Sequence, residues 1–290
     1  MWRSSPGTWR TRATDEEPNA AWLDGWAWSD GSKEVSGPHV YGIELMRVFS
    51  ELRAMKPGTP PIGKREGGLP WVAFTTHTHP QLCHYVCWSD WTGDRDILGT
   101  LYLRLVATRP VGYEPLARYA HQAWRRYRAG KDIPAPDFAG AGPVVDRDTV
   151  GWAASVAALT LNAKVRIVPT EPSLFDPLTV ARMFDAVAGL LPARAAAALN
   201  LCMGMRAEAN GPYRIAVGPD AVSDAVVVRP GIEPDLAAWP EAQAYRARLG
   251  RVLEQHPIAH VVRHLADAWG IPADSGAAIG ALEEMDTTGG

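Results

Sequence analysis

The chain has 290 residues, a length that suits one large domain or two of moderate size. Hydrophobic residues make up 47% and charged residues 21% of the sequence, which excludes a wholly disordered chain. The net charge of −3 argues against a basic nucleic-acid-binding protein, and no apolar run is long enough to predict a membrane span.

The first 35 residues are predicted to form a tryptophan-rich arm. Five of the 12 tryptophans fall within the first 28 residues, and residues 1–20 are otherwise mostly polar. Indole rings are costly to leave in water, so we expect the arm to dock on the body of the protein or on a partner. Trp22, Trp26 and Trp28 are therefore candidate interaction residues.

The three cysteines, Cys83, Cys87 and Cys202, are too few and too scattered for a disulfide framework. The basic residues near the N-terminus are not followed by the apolar stretch of a secretory signal. Both features favour a reducing compartment, and we expect a cytoplasmic protein.

Residues 36–132 are predicted to form an N-terminal α+β domain built around a β-hairpin. Apolar residues at helical spacing predict a helix over 41–55. Pro115 begins a second helical pattern, which ends at Gly130. Alternating, β-rich patterns predict strands over 71–76, 82–88 and 101–108.

Prolines and glycines are concentrated in residues 133–143, which are predicted to be a linker. Residues 144–275 then alternate helical and strand patterns and predict a mixed α/β domain. The Asn210–Gly211 pair between two β-rich runs predicts a hairpin, and residues 276–290 are predicted to be a flexible tail. The fold class is α/β in the broad sense that includes α+β. The strand patterns of this half are KVRIVP, LNLCMGMRA, YRIAVGP and AVVVRP, and its helices are predicted over 149–162, 178–191, 241–254 and 257–269.

The helix over 257–269 has two predicted faces. Histidines at four-residue spacing, His256, His260 and His264, share one face that is predicted to be solvated or to lie at the boundary of the core. The opposite, apolar face is predicted to turn to the core through Val261, Val262, Leu265 and Trp269.

Metal-ligand residue types are concentrated in the stretch THTHPQLCHYVCWSD. Residues two apart on a strand point the same way, so His77 and His79 are placed to bind one ion. The spacing resembles that of the JAMM metalloproteases, in which H-x-H-P is followed by six residues, Ser, two residues and Asp. The resemblance implies a zinc ion held by His77, His79 and Asp90, and a hydrolase activity.

Three features depart from the JAMM pattern. Cys87 stands at the serine position, and the nearest upstream glutamate, Glu66, lies only eleven residues before His77. Residues 82–88 favour a strand, where that family has a helical segment. The alternative interpretation is a β-hairpin with histidines at the end of a strand, and this interpretation is preferred.

The predicted helix of residues 115–130 ends in a basic, aromatic cluster that includes Arg125 and Arg126. Such a cluster is one way to bind phosphate or a partner. Cations also stabilise the C-terminal end of any helix by offsetting its dipole. Arg125 and Arg126 are kept as candidate interaction residues, with a nucleic-acid partner disfavoured.

The second half resembles bacterial GTPase-associated proteins of multi-component conflict and regulatory systems. The resemblance lies in the order of KVRIVPTEP, a helix ending in LLP, LNLCMGMRA and YRIAVGPDA, with WTGDRDILGTLYLRLVATRP in place of the glycine-rich strand of the N-terminal domain. It implies a cytoplasmic component of a defence-type system that binds a protein complex containing an NTPase. It transfers no catalytic residue.

Two functions from different classes follow from the sequence. The first is a non-catalytic adaptor, without a cofactor, that uses the tryptophan-rich arm and the basic helix as contact surfaces. The alternative is a zinc-dependent hydrolase built on His77, His79 and Asp90. The first is preferred.

Overall fold

The structure is a computed structural model, and it describes residues 21–29, 34–36, 48, 70–78, 81–92, 98–138, 140–171, 176–203, 213–218 and 224–288. The fold is α/β, as predicted, with helices packed on a mixed sheet. The predicted helix over 41–55 lies outside these ranges except for Val48, which is helical and buried. No helix in the described ranges combines the length and the apolar character needed to cross a membrane.

The N-terminal half contributes an antiparallel part of the sheet, which confirms the predicted hairpin. β1 (Ala21–Ser29) pairs with β5 (Leu98–Ala107) along nearly its whole length, so the C-terminal part of the predicted arm is a strand of the sheet. An ion pair between Asp24 of β1 and Arg104 of β5 joins the same two strands. The strands of this half are β1 (Ala21–Ser29), β2 (Glu34–Ser36), β3 (Trp71–His77), β4 (Cys83–Trp91) and β5 (Leu98–Ala107).

The C-terminal half contributes a parallel part of the sheet. Its strands are β6 (Val165–Ile167), β7 (Leu201–Met203), β8 (Ile215–Val217) and β9 (Val226–Val228). The strand positions agree with the sequence patterns, but β7 and β8 are parallel. The predicted hairpin at Asn210–Gly211 is therefore wrong in its topology, because a hairpin joins antiparallel strands.

One sheet runs through both halves, in the order β2–β1–β5–β4–β3–β7–β8–β6–β9. The junction is the antiparallel pair of β3 and β7, where Ala73 lies opposite Cys202 and Phe74 opposite Leu201. Buried apolar residues of the two halves form one continuous cluster. The two predicted domains thus share a sheet and a core.

The described helices are α1 (Tyr113–Arg128), α2 (Val150–Asn162), α3 (Pro177–Ala188), α4 (Ala193–Ala197), α5 (Pro240–Gln255), α6 (Ile258–Asp267) and α7 (Ser275–Thr288). Helix α1 packs on the antiparallel strands, where the rings of Phe74 and Tyr113 lie 5.1 Å apart. Trp88 stacks on His121 of the same helix at 4.9 Å. Helix α2 is buried along most of its length and contacts α3, α5 and α7.

Two segments predicted to lie outside the core belong to it. Residues 276–288 of the predicted tail lie in α7, with Ala278, Ala281, Leu282 and Met285 buried. In the predicted linker, the ring of Phe138 is buried beside that of Tyr119, at 5.6 Å. Two of the four buried apolar residues of α7 are alanines, so its buried face has few of the large apolar residues that a sequence pattern detects.

Candidate binding groove

An open groove of about 450 Å³ lies between helix α6 and the two loops that flank α1. One loop is the turn Arg109–Val111, which follows β5, and the other is formed by residues 138 and 140–145, called segment 138–145. Ile258, Val262 and Trp269 line the opposite side. The interior is mostly apolar, and the mouth faces solvent.

The wall formed by segment 138–145 is held by a backbone hydrogen bond. The N–H of Gly112 donates to the carbonyl of Ala141 at 2.8 Å, which fastens the segment to the start of α1. Gly140 has a φ of 71°, a conformation that glycine adopts without strain. The prolines and glycines that predicted a linker therefore build a fixed, irregular wall.

The wall formed by α6 comes from a second apolar stripe beside the stripe that faces the core. Val261 and Leu265 are fully buried, whereas Val262 of α6 and Trp269, two residues beyond its end, are only half-buried and line the groove. The prediction that Val262 and Trp269 belong to the core-facing side is therefore only partly right. The apolar stripe is wider than packing against the core requires, and the excess leaves apolar surface at the groove.

The groove carries more positive than negative charge. Arg109 and Arg263 are exposed, and Asp267 lies one turn beyond Arg263 on α6. Neither arginine forms an ion pair with any residue in the described ranges. Val144, on the same lining, is 65% exposed, more than any other large hydrophobic residue described. Apolar surface and two available cations thus share one depression.

A buried histidine supports the floor of the groove. The N–H of Val111 donates to Nε2 of His84 at 3.2 Å, and Oγ1 of Thr76 lies 3.1 Å from Nδ1. Because Nε2 accepts, the neutral ring carries its proton on Nδ1 and donates it to Thr76. Burial lowers the pKa of His84 to about 4. The ring therefore stays neutral at physiological pH and fixes the backbone at Val111.

A buried carboxylate holds the start of helix α1, next to the same floor. Asp185 of α3 accepts hydrogen bonds from the N–H groups of Tyr113 and Glu114. Burial raises the pKa of Asp185 to about 7, and the two hydrogen bonds offset part of this effect. Asp185 and His84 thus each hold backbone groups in place, which is a structural task.

Two residues of the alternative zinc site, His77 and Asp90, lie far apart. His77 pairs with Cys83 at one end of the β3–β4 hairpin, and Asp90 lies seven positions further along β4, beside the start of β3. At the rise of a strand this separates the two residues by roughly 20 Å, too far for ligands of one ion. His79 lies outside the described residues. The residues that are described do not fit a JAMM-type zinc centre, and the described ranges contain no group of three potential ligands.

The predicted interaction residues have varied environments. The ring of Trp26 packs edge-on against that of Tyr127 of α1 at 5.1 Å, so this tryptophan docks on the body of the protein. Trp22 and Trp28 belong to β1, and their side chains lie outside the part that the structure describes. Arg125 and Arg126 are exposed, and Nε of Arg126 donates to the carbonyl of Asp132 at 2.5 Å.

Two of the histidines on the predicted solvated face of 257–269 stack on each other. The rings of His256 and His260 lie 5.6 Å apart, and His260 is exposed. Nε2 of His264 lies 2.8 Å from the carbonyl oxygen of Ala281, so this histidine joins α6 to α7. The prediction that these three histidines lie at the boundary of the core is therefore correct.

The groove was not predicted from the sequence. One feature of the sequence could have indicated it: α6 carries more apolar residues than one core-facing stripe needs. The proline- and glycine-rich segment that forms the other wall is distant along the chain. No protein-family model matches the chain, and no curated protein matches its sequence.

Proposed function

We propose that this chain is a non-catalytic adaptor that binds another protein in the groove between α6 and segment 138–145. The single observation that carries the proposal is the open apolar lining, in which Val144 is 65% exposed. Exposed apolar surface in a concave site is typical of a protein- or ligand-binding surface.

The titratable groups with large pKa shifts support a structural rather than a catalytic role. Asp185 uses both carboxylate oxygens on backbone N–H groups, and His84 uses both ring nitrogens on Thr76 and Val111. A general acid or base needs a ring nitrogen or carboxylate oxygen that can reach the substrate. Each of these groups already serves the fold.

The partner class in this proposal is a protein complex that contains an NTPase, in a bacterial conflict or defence system. This part rests on the sequence resemblance carried by KVRIVPTEP, LNLCMGMRA and YRIAVGPDA. Among the described residues of these segments, β7 of the second and β8 of the third are neighbouring parallel strands, and β6 of the first lies on the other side of β8.

The test mixes the purified full chain with each NTPase encoded beside its gene and measures complex formation by size-exclusion chromatography with light scattering. We expect a stable complex with one of them. The variant Gly142→Leu, which places a side chain in the groove, should abolish the complex, because a Cβ at this glycine meets no atom within 4 Å and the groove is open there. Arg251→Glu, exposed on α5, is the control and should leave the complex intact.

The same preparations test whether the chain is catalytic. The chain alone should hydrolyse nucleoside triphosphates no faster than buffer does. Hydrolysis that persists through purification and is lost with one substitution of this chain would overturn the non-catalytic assignment. Failure of every neighbouring NTPase to bind would overturn the partner class.

A further inference from the structure

We infer that the groove binds an acidic peptide segment whose apolar side chains fill the space beside α6 and whose carboxylates pair with Arg109 and Arg263. The inference rests on the proposed adaptor function, which it deepens by naming the chemistry of the bound segment. Three features of the groove lead to it.

The first feature is the availability of the two cations. Arg109 and Arg263 are exposed on opposite walls of one depression, and neither is paired within the described ranges. By contrast, Arg118 pairs with Glu114 and Arg246 with Glu233. A guanidinium without a partner beside apolar surface is well suited to a bidentate carboxylate.

The second feature is the apolar interior between the cations. Ile258 and Val262 on α6 and Val144 and Val145 of segment 138–145 all line the groove. Such walls favour leucine, isoleucine or phenylalanine side chains over the sugar and phosphate of a nucleic acid. A single-stranded nucleic acid would need stacking platforms along a continuous basic track, whereas of the two aromatic side chains in the lining Phe138 is buried and only Trp269 is partly exposed.

The third feature is the position of the negative charge. Asp267 lies four residues after Arg263 on α6, which is about 6 Å along the helix axis. It repels a carboxylate at that end, so the peptide should present its acidic residues towards the N-terminal side of α6 and an apolar residue towards Asp267. The net charge of −3 opposes this binding weakly at a distance, but salt screens it beyond about 10 Å, whereas the arginines act at contact.

The test uses fluorescence anisotropy with labelled synthetic peptides in which leucine alternates with glutamate, and with matched peptides that carry glutamine or lysine in place of glutamate. We expect the glutamate peptide to bind, and added salt to weaken it. The glutamine peptide should bind about tenfold more weakly for each carboxylate–arginine pair that it cannot form. The lysine peptide should not bind measurably.

The protein variants locate the binding site. Arg109→Glu and Arg263→Glu should each weaken the glutamate peptide by about tenfold or more, and Gly142→Leu should abolish its binding. Arg251→Glu should leave the affinity unchanged. Thermal unfolding of each variant, compared with the wild type, confirms that the loss is not a loss of folding.

Several outcomes overturn the inference. Equal binding of the lysine and glutamate peptides contradicts the charge argument. Tighter binding of a single-stranded oligonucleotide than of any peptide contradicts the choice of a peptide as the bound molecule. If Gly142→Leu abolishes the NTPase complex but no acidic peptide binds, the peptide chemistry is wrong and the adaptor function stands. If the glutamate peptide binds as described but no NTPase does, the partner class is wrong and the groove chemistry stands.

Discussion

Asp185 caps the helix that begins at Tyr113, although 72 residues separate the two along the chain. The residue at the usual capping position is Gly112, which has no side chain to offer. The carboxylate of Asp185 therefore arrives from α3 and accepts hydrogen bonds from the first two N–H groups of α1. This contact holds the start of α1, directly after the turn Arg109–Val111 that lines the groove.

Replacing Asp185 with asparagine should change how stability depends on pH. The pKa of Asp185 rises from its ordinary 3.8 to about 7 on folding, so the folded state binds this proton more tightly than the unfolded state does. The group therefore contributes stability that is lost as the pH rises from about 4 to about 7. Relative to wild type, Asp185→Asn should gain free energy of unfolding across this window.

Urea unfolding at several pH values between about 4 and 7 measures this difference. Asp146→Asn is the matched control, because it removes a carboxylate from an exposed position. A difference between Asp185→Asn and wild type that stays constant across the window would contradict the prediction.

Replacing His84 with glutamine should have the opposite effect on the pH profile. The pKa of His84 falls from 6.5 to about 4 on folding, because burial disfavours the charged ring. The group contributes stability that is complete above about 6.5 and is lost as the pH falls towards 4. Relative to wild type, His84→Gln should therefore gain stability as the pH is lowered through this range.

The two contributions oppose each other between about pH 4 and 6.5. The same urea series should show their slopes as mirror images, and the double variant should keep nearly the wild-type slope. Slopes of the same sign in the two single variants would refute this account of the buried polar groups.

Gly112 and Gly142 should respond differently to alanine, although both lie beside the groove. A Cβ at Gly112 would lie 3.0 Å from the carbonyl oxygen of Gly142 and 3.1 Å from Oδ1 of Asp185. Neither atom can move freely, so Gly112→Ala should destabilise the protein by about 1–3 kcal/mol. Gly142→Ala meets no atom within 4 Å and should be neutral or stabilise by up to about 1 kcal/mol. Thermal and urea unfolding compare the two, and equal losses would contradict the packing argument.

The sequence predicted those parts of the fold that depend on local periodicity. Alternation found β3, β4 and β5 and their antiparallel order, and helical spacing found α1 and α2, with ends within a few residues. Local turn chemistry at Asn210–Gly211 misled the prediction, because pairing with β3 and β8 determines the direction of β7. Helix α7 was missed because only two large apolar residues, Leu282 and Met285, lie on its buried face, which leaves a weak periodic pattern.

The candidate site could not be predicted by the same means. The groove joins α6 to segment 138–145 and to Arg109, and no short sequence window contains all three. The zinc alternative rested on a spacing taken from a motif with a helix, whereas His77 and Asp90 lie on extended strands. At about 3.3 Å per residue, a strand carries Asp90 far from His77.

Ser155 should matter more for stability than the charged residue to which it donates. Its hydroxyl, fully buried in α2, donates to Oε1 of Glu233 at 2.7 Å and accepts from Nε of Arg246 at 3.0 Å. Ser155→Ala leaves the Arg246 Nε–H without this acceptor inside the protein and should cost about 1–3 kcal/mol. The Glu233 side chain is 57% exposed, so water replaces its contacts and Glu233→Gln should cost less than about 1 kcal/mol. Urea unfolding at neutral pH measures the loss of stability in each variant. Salt screens the Glu233–Arg246 ion pair, so added salt should reduce the loss in Glu233→Gln and leave that in Ser155→Ala unchanged. A Glu233→Gln loss equal to that of Ser155→Ala would mean that the ion pair, and not the buried hydroxyl, fastens segment 229–236 to α2 and α5.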